Sequence, residues 1–60
     1  MRYLLENLIR SFGGSVYETG GSLAALFYDQ DLAERCADEI SFTFRDVSVQ
    51  VDGECVLIWG

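Results

Sequence analysis

The side chains in this sequence that could do chemistry are nearly all acids: ten Asp and Glu stand against four Arg, with no His and no Lys. General acid–base or nucleophilic catalysis near neutral pH needs a group tuned toward that pH, or a nucleophile beside a base. Carboxylates are plentiful, but no spacing places two of them in a dry cleft. Cys36 and Cys55 have no histidine or lysine anywhere in the chain to activate them. Gly13-Gly14 and Gly20-Gly21 fit neither G-x-G-x-x-G nor the Walker pattern. Two cysteines without histidine are too few for a zinc site or a disulfide scaffold. The expectation is a protein that is not an enzyme, with no catalytic residue, no metal and no cofactor.

Binding chemistry is what remains, and it comes in two kinds. The first is acidic. A formal charge of −6 and a pI near 4.1 disfavour direct nucleic-acid binding, because binders of phosphates present basic surfaces. The same charge steers the molecule toward a protein partner with a basic surface. Asp31, Glu34 and Asp38 follow i, i+3, i+7 spacing, with Asp29 and Glu39 beside them. On a helix such neighbours sit about 5–6 Å apart at Cβ, comparable to successive phosphates on a strand. A row of this kind suits a groove built for nucleic acid. The second kind is apolar and aromatic: Tyr17, Leu26, Tyr28, Cys55, Leu57 and Trp59, whose common placement depends on the elements that carry them.

Residues 2–12 carry Leu4, Leu5, Leu8, Ile9 and Phe12 at helical spacing, and Gly13-Gly14 stops that helix. Ser15–Glu18 and Ser22–Tyr28 read as strands around Gly20-Gly21, which pairs Thr19 with Ser22, Tyr17 with Ala24 and Val16 with Ala25. Asp29 is placed to cap a second helix with Leu32, Cys36 and Ile40 inward, flanked by Ala33 and Ala37. Arg35 has i,i+4 partners on both sides, Asp31 and Glu39. Ser41–Arg45 reads as the start of a strand or as a connector anchored by Phe42 and Phe44. Asp46–Trp59 is a hairpin turning at Asp52-Gly53, which sets Val51 opposite Glu54, Val49 opposite Val56 and Val47 opposite Ile58. Alternation then gives this hairpin two apolar faces. The valines, Val56 and Ile58 share one; Cys55, Leu57 and Trp59 share the other.

The order helix, hairpin, helix, hairpin predicts an α+β fold, αββαββ, in a single domain spanning residues 1–60. Two such units most economically form a four-stranded antiparallel-type sheet with two helices on one face, a circularly permuted ferredoxin-like arrangement. The most continuously apolar strands, Ser22–Tyr28 and Glu54–Trp59, belong in its centre. Such a layout leaves Tyr17, Leu26, Tyr28, Leu57 and Trp59 on the sheet face away from the helices, a partner-binding or dimer surface. An RNA platform is disfavoured by the lack of basic residues around those rings. No secretory leader or membrane span is indicated, and a cytoplasmic protein with reduced thiols is expected.

These readings converge on a small acidic interaction protein that binds and blocks a partner protein. Asp29, Asp31, Glu34 and Asp38 supply the acidic face, and the sheet supplies the apolar one. In size and charge the chain resembles phage-encoded inhibitors such as anti-CRISPR proteins. That resemblance implies a nucleic-acid mimic occupying the basic groove of its target. The alternative is a homodimeric regulatory or ligand-sensing domain of the ferredoxin-like type.

Overall fold

A computed structural model describes residues 2–60. Helix α1 (Arg2–Ser11) leads into strands β1 (Ser15–Thr19) and β2 (Ser22–Leu26); helix α2 (Gln30–Thr43) leads into β3 (Ser48–Asp52) and β4 (Cys55–Trp59). The fold is α+β.

Glycine chemistry ends α1. Gly13 adopts φ +80°, and its N–H donates to Arg10 O while that of Gly14 donates to Ile9 O. These two bonds make a Schellman motif, which satisfies carbonyls the helix would otherwise leave open. Gly14 has a separate role, because a Cβ there would lie 2.7 Å from the Phe27 ring and 2.8 Å from Ile9. The chain passes too close to the core at this point for any side chain.

The first hairpin has the expected register, Val16 opposite Ala25, Tyr17 opposite Ala24 and Thr19 opposite Ser22. Gly20 and Gly21 both take positive φ, as a type I′ turn requires. The second hairpin differs from expectation. Its loop is Gly53-Glu54, with Asp52 retained in β3 opposite Cys55, so that Val51 faces Val56 and Val49 faces Ile58. Only Gly53 has positive φ, +62°, and no non-glycine residue does. Glycine at the first central position alone is the type II′ pattern, which spares Asp52 a left-handed backbone. Partners moved by two residues, an even number, so every side chain stays on its expected face.

Helix α2 begins at Asp29, whose extended backbone (φ −150°) lets its carboxylate accept the Leu32 N–H at 2.9 Å. It continues through Thr43, so Ser41–Thr43 is neither strand nor connector. Phe44 lies four residues beyond Ile40, donates its N–H to Ile40 O at 2.8 Å and is buried. The ring thus extends the inward stripe by one turn and turns Phe42 out to solvent, 73% exposed.

The four strands form one antiparallel sheet in the order β1-β2-β4-β3, with β2 and β4 central as their apolar runs predict. Leu5 and Ile9 of α1, with Ala33, Cys36, Ala37 and Ile40 of α2, form one buried cluster with Leu23, Ala25, Phe27, Phe44, Val56 and Ile58. Both helices therefore cover the same sheet face, α1 beside β1 and α2 over β3 and β4. Alanines at 25, 33 and 37 let α2 approach the sheet closely. The α1 stripe is narrower than its sequence suggests: Leu8 and Phe12 are half-buried and Leu4 is 60% exposed.

Candidate protein-binding surfaces

Strand pairing arranges the uncovered sheet face as a grid. Its middle row, across all four strands, is Tyr17, Ala24, Leu57 and Gln50. One row holds Ser15, Leu26, Cys55 and Asp52; Trp59 stands opposite Ser48 in the other, with Thr19 opposite Ser22. Tyr17, Leu26 and Trp59 are exposed, while Ala24, Cys55 and Leu57 are half-buried by their neighbours. Among these twelve side chains Asp52, at a corner, is the sole carboxylate. Tyr28 is placed differently from expectation. Strand β2 ends at Leu26, and Phe27 beyond it is buried in the core with its N–H donating to Glu54 O. Tyr28 then sits in the bend before α2, 89% exposed and off the grid.

The acidic residues lie elsewhere. Asp31, Glu34, Asp38 and Glu39 are all exposed on α2. Asp29 is engaged as the helix cap, Asp31 pairs with Arg35 at 3.0 Å, and Glu34 accepts a hydrogen bond from Gln30 at 3.0 Å. Arg35 makes no ion pair with Glu39, having turned to Asp31. Asp38 and Glu39 have no cationic partner among the described residues. The row is thus a set of acids with one arginine set into it. On the other side of the molecule, Arg2 bridges Glu6 (3.0 Å) and Glu18 (2.6 Å), and Arg10 approaches Glu6 at 3.8 Å, a locally neutral network.

A third surface was not anticipated from the sequence. Leu4, Asn7 and Leu8 of α1 face Thr43 and Phe44 across an open apolar groove of about 620 Å³. Tyr3 and Phe42 add exposed rings on the same two helices. The available signal was the width of the α1 stripe, which has more apolar positions than the sheet beneath can cover. A smaller recess of about 310 Å³ is lined in part by Arg2, Glu18, Ser22, Trp59 and Gly60.

The thiols are separated by the sheet. Cys36 is buried in the core and Cys55 is half-buried on the open face, and neither is bonded. Burial pushes the Cys36 thiol up to about 11, with the nearby Glu39 charge acting in the same direction. No group of three or more metal-ligating side chains assembles among the described residues, and no helix there is long and apolar enough to cross a membrane. Comparison with protein-family models, with curated proteins and with solved structures found no match.

Proposed function

We propose that this chain is a small, acidic, non-enzymatic interaction protein that occupies a basic, nucleic-acid-binding surface of a partner protein and blocks it. The observation that carries this reading is where the charge sits. Residues 29–54 hold eight carboxylates and two arginines, so the whole formal charge of −6 falls on that stretch. Apart from Asp29, which caps α2, these carboxylates lie outside the framework: none is buried, and at most they make exposed contacts within one helix. Exposed, uncompensated charge of one sign speeds association with an oppositely charged surface and sets its specificity. The likeness in size and charge to phage-encoded inhibitors such as anti-CRISPR proteins points the same way, and the setting we propose is cytoplasmic. We read the fold as a circularly permuted ferredoxin-like arrangement, supported by the strand order β1-β2-β4-β3 with a helix before each hairpin.

The test is affinity capture with the wild type beside an Asp31→Lys, Glu34→Lys, Asp38→Lys variant, at low and high salt. The expected result is that nucleic-acid-binding proteins are retained by the wild type, released by salt and absent from the variant. Capture indifferent to both salt and charge reversal would overturn the reading. A ligand-sensing domain is the second reading, favoured by the 310 Å³ recess beside Trp59, which is at the lower limit for a small-molecule site. It requires a ligand-dependent rise in melting temperature that the same reversals leave unchanged.

A further inference from the structure

We infer that the open sheet face is the self-association surface of this protein, closed by a second copy of the chain packed sheet to sheet around a two-fold axis. This deepens the interaction-protein reading. It assigns the apolar face to self-pairing and leaves the acidic surface of α2 free for the partner.

Charge identifies the occupant. A protein with a formal charge of −6 has kept all but one carboxylate, Asp52, off the twelve-residue face. That face offers nothing to attract a basic partner, which would be drawn to α2 on the other side of the sheet. It also offers almost nothing to repel a copy of itself. Face-to-face packing sets two sheets about 10 Å apart, and each α2 lies a further helix diameter out. The acidic helices of the two copies are then roughly 30 Å apart, several times the ~8 Å screening length at physiological salt. Pairing through the helix layer would instead bring those carboxylates together.

Shape supports the same occupant. Ala24 and Leu57 stand opposite each other in the two central strands, a dip beside a knob at the middle of the grid. A two-fold axis between them seats Leu57 of each copy over Ala24 of the other, the reciprocal contact an isologous interface requires. Tyr17 and Trp59 flank this centre, the residue types that carry most interface energy. Four strands of five residues present a footprint of roughly 16 by 19 Å. Two such faces have a flat area of about 600 Å², which side-chain relief raises toward roughly 1,000 Å² of accessible surface, near the lower limit for a specific interface. An interface of that size is a weak one, and the dimer is therefore concentration-dependent.

Trp59 is the sole tryptophan and lies on this face, so the unmodified protein reports on its own association. Acrylamide quenching and emission wavelength are followed from about 1 µM to 1 mM, a span chosen to bracket a weak equilibrium. Sedimentation equilibrium is run alongside. The expected result is a monomer-to-dimer transition in mass, with quenching falling and emission shifting to the blue over the same range. Leu57→Arg should weaken dimerisation about tenfold or more. Phe42→Ser, in the helix layer, should leave it unchanged. Should Leu57→Arg fail to fold by circular dichroism, Tyr17→Arg at an exposed edge position gives the same readout. A wild type that stays monomeric throughout overturns the inference. So does a dimer whose Trp59 remains equally quenchable, or one dissociated by Phe42→Ser and not by the face variants. A monomer that still shows salt-dependent capture removes this inference alone. A dimer whose capture ignores the α2 charge reversals removes only the blocking function.

Discussion

Residues 2–26 and 30–59 build the same succession of elements, a helix and then a hairpin, and the sheet joins the halves through the second strand of each, β2 and β4. Each helix contributes one fully buried isoleucine to the common core, Ile9 or Ile40. In charge the halves part. Arg2, Glu6, Arg10 and Glu18 cancel and pair with one another in the first, while the second holds every uncompensated carboxylate. The first half places its helix and hairpin on the common core with no net charge. The acidity of its twin adds self-repulsion to a small domain, and none of those carboxylates is buried in the core.

The largest expected effect tests whether the halves share one core. Ile9→Ala and Ile40→Ala should each cost about 2–5 kcal/mol, as much as a core of this size supplies in total, about 3–5 kcal/mol. Both variants should lose cooperative thermal unfolding near room temperature by circular dichroism. If either melts like the wild type, the two helices are not equivalent supports. Next comes a feature that only the first half possesses. Gly14→Ala drives a methyl group into Phe27 and Ile9 and should cost about 1–3 kcal/mol, read as a lower urea midpoint with an unchanged slope. An unchanged midpoint would mean that the core gives way there at no cost.

A thiol buried in the second half sharpens the comparison through pH. The Cys36 thiol moves from an ordinary value of 9.0 up to about 11 on folding, chiefly by burial. Between those values the folded chain holds a proton that the unfolded chain has lost. The associated stability is complete below pH 9 and drains away toward pH 11. The melting temperature should fall across that window, and Cys36→Ala should flatten the fall. An equal fall in the variant would place its origin elsewhere. The smallest effect is expected at Asp38, which is exposed and without a cationic partner. Asp38→Asn should change stability by no more than about 0.5 kcal/mol, upward if at all. A clear loss would mean that the acid serves the fold after all.

Most of the framework was legible because local signals agreed. Two glycines at 20 and 21 allow one placement of a turn with two positive φ angles, and the register followed. At Asp52-Gly53 the same logic overreached, since a single glycine also satisfies a turn one position later. The faces survived because the displacement was even. Phe42 and Phe44 alternate like strand residues, yet Phe44 also continues the spacing of Ala33, Cys36 and Ile40, and the longer period prevailed. Leu4 belongs to a genuine helical stripe. What the pattern does not contain is where the sheet beneath it stops, and that boundary decides whether Leu4 is core or surface. The acidic row was visible in outline. The engagement of Asp29 as a cap, and the choice of Asp31 over Glu39 by Arg35, depend on backbone direction and side-chain reach, which spacing alone does not encode.

Arg2 and Gly60 line the same recess, so the two ends of the described chain are neighbours at one corner of the molecule. The backbone is close to a closed ring. A short glycine-serine bridge between those ends, with a new opening cut at Gly53-Glu54, would re-thread the same packing as strand, helix, two strands, helix, strand. Tags or fluorophores fused at either end would emerge side by side, close enough for energy transfer between them.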